Sequence, residues 1–145
     1  MKILIINGPN MNMLGIREPG LYGSANYDDL IEFIKDAATE MNIRPSFFQS
    51  NHEGEIVDAI QGAYGKIDGI IINPAAYAHT SIAIPDAIKA VNIPTVEVHL
   101  TDIGLREAYR CFSFTSEACV EMISGLGFEG YRSAMHILIA EKLQS

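Results

Sequence analysis

The chain has 145 residues, 48% of them hydrophobic, and a net charge of -8. That length supports one domain with a substantial core, and the negative charge argues against nucleic acid or an anionic membrane as a partner, because both require clustered positive charge. Two cysteines, Cys111 and Cys119, make no disulfide framework and fit a reduced cytoplasmic compartment as plain buried or half-buried residues; no apolar run reaches membrane-spanning length, and Met1-Lys2 leads straight into a core strand, where a secretory leader does not fit.

Lys2 to Ile6 reads as the first strand, followed by the polar stretch Asn7-Gly8-Pro9-Asn10. From Gly8 to about Ala25 no periodicity is visible. A loop of that length in a compact domain is usually functional. Gly15, Gly20 and Gly23 offer hinges around Arg17, Glu18 and Tyr22, so the stretch at about 11–25 is predicted to be a lid, with a floppy insertion as the plainer alternative. The first helix, about Asn26 to Met41, carries Leu30, Phe33, Ile34, Ala37, Ala38 and Met41 as one apolar stripe. Arg44 to Gln49 is the second strand. Ser50 and Glu53 have capping-box spacing before a second helix with Ile56, Ala59, Ile60, Ala63 and Tyr64 on one face and Gly65 as its C-cap. His52, near that start, reads as a local hydrogen-bonding residue.

Ile70-Ile71-Ile72 is a bare apolar run between the turn signal Asp68-Gly69 and the stop Asn73-Pro74. Such a run reads as a strand buried on both faces of a parallel sheet, and its wet end is its C-terminal loop. That loop holds Asn73, Ala75, Ala76, His79, Thr80 and Ser81. Asn73-Pro74 could merely end the strand, and Ser81 could merely cap the next helix, about Ile82 to Val91. Pro85 and Asp86 fall in the first turn of that helix, where a missing N–H and a negative charge are both tolerated. Thr95 to His99 is the fourth strand. A short helix over Leu105 to Cys111 carries Arg106 and Arg110, a fifth strand covers Val120 to Ser124, and a last helix runs from about Gly130 to Leu143 with His136 off its apolar stripe.

This alternation implies a single-domain α/β fold over 1–145 with a five-stranded parallel sheet, most simply in flavodoxin-like order. Three apolar strands deliver polar groups at their C-terminal ends, where ligands bind in open α/β sheets. One pocket holding Asn10, Asn73, His79 and His99 is therefore expected.

Four ordered blocks carry a resemblance to the type II 3-dehydroquinate dehydratases. They are Asn7-Gly8-Pro9-Asn10-Met11-Asn12 with Gly15-Ile16-Arg17-Glu18-Pro19 and Tyr22-Gly23; Gln49-Ser50-Asn51-His52-Glu53-Gly54-Glu55; Ile72-Asn73-Pro74 with His79-Thr80-Ser81; and Val96-Glu97-Val98-His99-Leu100. The resemblance implies loss of water from 3-dehydroquinate, giving 3-dehydroshikimate through an enolate, with no metal, cofactor or Schiff base. It makes Tyr22 the base. A tyrosine hydroxyl ionises near pH ~10, so a phenolate at neutral pH needs roughly 4 kcal/mol of preferential stabilisation. Arg17 resembles the family's activating arginine, and a nearby guanidinium favours the phenolate. Asn10 and the backbone at Ala75 and Ala76 would stabilise the enolate oxygen. His99 would be the general acid, oriented by Glu97 on the same strand face. Asn73, His79, Arg110 and the backbone of Leu100 and Thr101 would hold substrate. Asp86 would reach a neighbouring subunit's site, and the resemblance implies a dodecamer built as a tetramer of trimers.

Four positions depart from the pattern: Ala75 stands where glycine is usual, Pro85 where arginine is frequent, Gly104 where histidine is common, and Cys111-Phe112 where a more basic or His-rich pair is found. Two other readings remain at this point. A non-catalytic flavodoxin-like binding or signalling module would need a phosphate or flavin cradle, and Gly8-Pro9-Asn10 is not one. A Schiff-base enzyme would need a pocket lysine, and Lys2, Lys35, Lys66, Lys89 and Lys142 all fall away from the strand C-termini.

Overall fold

The computed structural model describes residues 1–16 and 24–145. Their five strands are β1 (Lys2–Asn7), β2 (Arg44–Gln49), β3 (Gly69–Asn73), β4 (Thr95–His99) and β5 (Glu121–Ser124). They form one parallel sheet in the order β2-β1-β3-β4-β5, as the flavodoxin-like expectation requires. The strand order reverses between β1 and β3. There the register sets Asn7 beside Asn73, so the two loops that follow emerge side by side.

The helices are α1 (Tyr27–Glu40), α2 (Glu53–Gly62), α3 (Ala83–Val91) and α4 (Glu129–Gln144) among the described residues. Strand alternation sorts the core into two layers. Ile3, Ile5, Ile71, Val96 and Val98 pack against Leu30 and Ile34 of α1 and against Ala134, Met135 and Leu138 of α4. Ile6, Ile70 and Ile72 pack on the opposite side against Ile56 and Ile60 of α2 and Ile84 and Ile88 of α3. Ile70, Ile71 and Ile72 are all fully buried, which is why the run shows no amphipathic alternation.

Helix ends follow local chemistry. Asn26 caps α1 in a reciprocal box with Asp29 (both contacts 2.9 Å). Asn92, at φ 55°, ends α3 in the left-handed conformation. The box expected at Ser50 and Glu53 does not form. Ser50 Oγ instead accepts from His52 N (2.9 Å) and donates to Glu55, while His52 holds the N-cap position without a side-chain cap. Tyr64 is 70% exposed rather than part of the packed face of α2, because the helix ends at Gly62. The helix expected over Leu105 to Cys111 is two separate 3-10 turns, Ile103–Leu105 and Ala108–Arg110. Cys111 is exposed rather than buried, and Cys119 is half-buried; both are free thiols.

Ile71→Ala removes a fully buried side chain from the central strand and should lower stability by about 2–5 kcal/mol. A urea unfolding curve should show the midpoint fall by that free energy divided by the slope, with the slope itself little changed.

Candidate active site

A cavity opens at the C-terminal edge of the sheet, over β1, β3 and β4. Asn10, Asn73, Ala75, Ala76, His79, His99, Leu100, Thr101 and Arg110 line it, together with Pro9, Met11, Leu14, Ile103 and Arg106. The four residues that strand patterning placed in one pocket are thus together. Arg17, Tyr22 and the central part of the expected lid lie outside the described residues. Of the same loop, Met11–Met13 forms a 3-10 turn whose Met11 is buried with Leu14 in the core. Asp86 sits exposed in the first turn of α3 and does not line its own chain's cavity.

The β1 loop is held on two sides. Gly8 N–H donates to Asn73 O (2.8 Å), and a Cβ on Gly8 would lie 2.6 Å from Pro74 O, so only glycine allows the loops this close. From β2, Gln49 Nε2 donates to Gly8 O (3.2 Å), and Asn51 Oδ1 accepts from Asn10 N (2.9 Å). Asn10 itself is left-handed at φ 69°, a conformation asparagine tolerates. The block Gln49–Glu53 therefore works as a brace for the β1 loop.

Asn7, Asn73 and Tyr131 form a second buried set, on the α4 side of the sheet. The Tyr131 hydroxyl donates to Asn7 Oδ1 (2.6 Å) and accepts from Asn73 Nδ2 (3.2 Å). Burial pushes the Tyr131 phenol well above its ordinary range, so it remains a donor. Asn7 Nδ2 in turn donates to the Tyr27 hydroxyl (3.3 Å), whose phenol burial also raises. Asn73 Oδ1 accepts from Ala75 N (3.1 Å). This bond fixes Ala75 at φ 52°, a region that favours glycine, at a cost of roughly 1–2 kcal/mol for a residue with a Cβ.

On the other face, Glu97 is 0% exposed and His99 6%. His99 Nε2 meets a carboxylate oxygen of Glu97 directly. The His79 ring lies near-parallel to that of His99, with centroids 6.2 Å apart and planes at 22°. His79 Nδ1 bonds the Phe112 carbonyl (2.7 Å). A carbonyl only accepts, so Nδ1 carries that hydrogen and Nε2 is the acceptor nitrogen.

Positive charge gathers at one end. Arg110 Nε lies 2.9 Å and Arg106 Nε 3.8 Å from a Glu107 carboxylate oxygen, and Arg106 Nη1 reaches Thr101 Oγ1 (3.4 Å). Its own backbone N–H, followed by the charges of Arg110 and Arg106, holds the exposed Glu107 carboxyl below the usual range. Two guanidiniums against one carboxylate leave this corner positive in a chain of net charge -8. Among the described residues, no group of three or more His, Cys, Asp or Glu could hold a metal ion.

Sequence reasoning missed Ser113, Asn51 and Tyr131, which act on site residues from behind, and Arg106 as a lining residue. Ser113 and Tyr131 sit in segments whose patterning gives only packing; the signal that partners exist is a carboxylate and two amides on otherwise dry strands.

A parallel α/β sheet carrying amides, imidazoles and guanidiniums around one cavity, with a buried Glu–His pair, defines an enzyme for acid–base chemistry on a small anionic molecule. The profile of the family Dehydroquinase class II matches residues 1–139. A 3-dehydroquinate dehydratase of Clostridium acetobutylicum is 58% identical over 131 residues, covering 90% of this chain and 91% of that one. The crystal structure of the type II dehydroquinase of Butyrivibrio crossotus superposes with a TM-score of 0.94 at 48% identity, over 96% of this chain and 97% of that one. That of Propionibacterium acnes gives 0.91 at 36% identity, over 96% of each. The chain belongs to the class II dehydroquinases. Membership in an enzyme family decides against the binding-module reading.

Tyr131→Phe leaves Asn7 Oδ1 and Asn73 Nδ2 buried without their shared partner and should cost about 1–3 kcal/mol. Thermal or urea unfolding of this variant against the parent measures it.

Proposed function

We propose that this chain eliminates water from 3-dehydroquinate to give 3-dehydroshikimate, through an enolate and without metal, cofactor or Schiff base. The observation that carries the reading is the arrangement across one cavity: the Asn10 and Ala75–Ala76 segments on one side, the buried Glu97–His99 pair beside them, and Arg106 with Arg110 at the end.

In this mechanism Tyr22, activated by Arg17, removes the proton α to the ketone. Charge then develops on the ketone oxygen, and donors already fixed around Asn10 and the backbone at Ala75 and Ala76 receive it without reorganising. His99 passes a proton to the departing hydroxyl. Its Nε2 is taken by Glu97, so Nδ1 is the nitrogen that faces substrate. The substrate carboxylate lies toward Arg110 and the backbone of Leu100 and Thr101, a locally positive corner of an acidic chain. His79 presents Nε2 to a substrate hydroxyl. Asn73 binds another by exchanging its weak 3.6 Å contact to Met11 Sδ for a hydroxyl oxygen. No described lining residue is a lysine, which supports an enolate route over an imine. Asp86 completes the site of a neighbouring subunit in a dodecamer, a tetramer of trimers in the cytoplasm.

Mixing the protein with 3-dehydroquinate in excess chelator should produce the ultraviolet absorbance of a conjugated enone; a flat trace from folded protein would overturn the reading. Tyr22→Phe removes only a hydroxyl and should lower kcat by about 10²–10⁴-fold with the fold intact. Arg17→Ala should reduce kcat more than it raises KM, and a pure rise in KM would remove Arg17 from the chemistry. Light scattering should give twelve subunits, and a monomer would sink the role of Asp86.

A further inference from the structure

Glu97 is a carboxylate with no exposed surface, and the described structure aims two side chains at it. One is His99. The other is Ser113, from the segment that folds back under β4. Ser113 Oγ lies 2.7 Å from Glu97 Oε2 and 3.0 Å from Oε1. Ser113 is itself 4% exposed.

The direction of these bonds is fixed. A hydroxyl has one hydrogen and two lone pairs. Ser116 N donates to Ser113 Oγ (3.1 Å), which fills an acceptor position. Ser116 Oγ also donates to Ser113 O (2.9 Å), locking the backbone of the same turn. The single Ser113 hydrogen is therefore committed to the carboxylate. Glu97 is closed off from bulk solvent, so Ser113 supplies a charge-assisted donor in its place and fixes the plane of the carboxylate.

The other groups around the pair do not substitute for Ser113. Cys119, on the same side, is kept a thiol by burial and then by the negative charge of Glu97, so it adds no charge. His79 faces His99 ring to ring, and Arg106 and Arg110 stand across the cavity with Glu107.

We propose that Ser113 is a positioning residue for proton transfer: its hydroxyl orients and stabilises the Glu97 carboxylate, which holds His99 in the geometry that delivers a proton to substrate. Ser113 touches no reacting atom and acts through Glu97. The proposal rests on the dehydratase reading for its kinetic consequence, but not for its structural one.

The test uses the full-length enzyme and two readouts. In substrate-free protein labelled with ¹⁵N-histidine, the His99 Nε2–H proton should resonate far downfield because it bonds a carboxylate; its absence in His99→Gln assigns it. In Ser113→Ala that resonance should move upfield or broaden. The kcat for 3-dehydroquinate should fall on the order of 10- to 100-fold, the scale of a lost hydrogen bond to a charged group, with KM within about twofold. Ser113→Thr keeps the hydroxyl and should restore both. If Ser113→Ala fails to fold, Ser113→Cys, nearly the same shape with a weak donor, is read by the same two criteria. An unchanged resonance, a kcat within about twofold of the parent, or a loss that threonine does not restore would overturn the assignment. Should the parent enzyme fail to turn over 3-dehydroquinate, the dehydratase reading falls, and the resonance alone decides for or against Ser113.

Discussion

A carboxylate on the dry face of a parallel sheet sets the demands that the rest of this site meets. Glu97 points into the layer that α3 and the following segment cover, where removing an ion from water costs several kcal/mol unless its lone pairs find donors. His99, two residues on, is on the same face by strand alternation, so the pairing is built into β4. The second donor comes from outside the sheet. β4 and β5 are parallel, so the chain between them must cross back over the sheet, and that crossover supplies the donor. It spends residues 100–120 in short 3-10 turns that carry two arginines across the cavity mouth and then bring Ser113 and Cys119 beneath β4.

The opposite face solves the same problem with neutral groups. Asn7 and Asn73 are neighbours in register, and both turn toward α4. Two amides side by side could bond only each other and leave atoms unpaired. Tyr131 inserts one hydroxyl that accepts from one amide and donates to the other, and Asn73 passes its remaining oxygen to Ala75 N. The left-handed turn at Ala75 is thus imposed by a buried hydrogen bond, against the preference of its own side chain. At this left-handed φ an alanine costs stability that a glycine would not, and the amide network offsets it.

The legible and illegible parts of this chain divide along the same line. Sheet order, the two-sided burial of Ile70–Ile72 and the meeting of Asn10, Asn73, His79 and His99 were readable because strand periodicity and loop position determine them. What escaped was which of several possible partners, near in sequence or far, each polar group takes. Ser50 has capping-box spacing, yet its hydroxyl is drawn to His52 N and Glu55. Arg106 and Arg110 have helical spacing, yet Gly104 bonds Asp102 Oδ1 (2.9 Å) and the chain breaks into two turns that still bring both guanidiniums to one cavity. Tyr131 reads as one more apolar residue of α4, since nothing local distinguishes a packing phenol from one that joins residues 7 and 73.

The two networks meet only at the sheet's C-terminal edge, and this explains the placement of the cavity. Within the sheet, alternation keeps the Glu97 face and the Asn73 face apart: Ile72 packs on the first and Val98 on the second. Past the last ladder bond the strands become loops, and groups from both faces can turn toward one space. Gly8 lets the β1 and β3 loops touch there, which holds the loop amides at the rim of the cavity that the imidazoles also line. An ionisable pair and a set of neutral donors, each braced from its own layer, then face one molecule from two directions. That geometry suits a reaction in which a proton must be delivered on one side while negative charge gathers on the other.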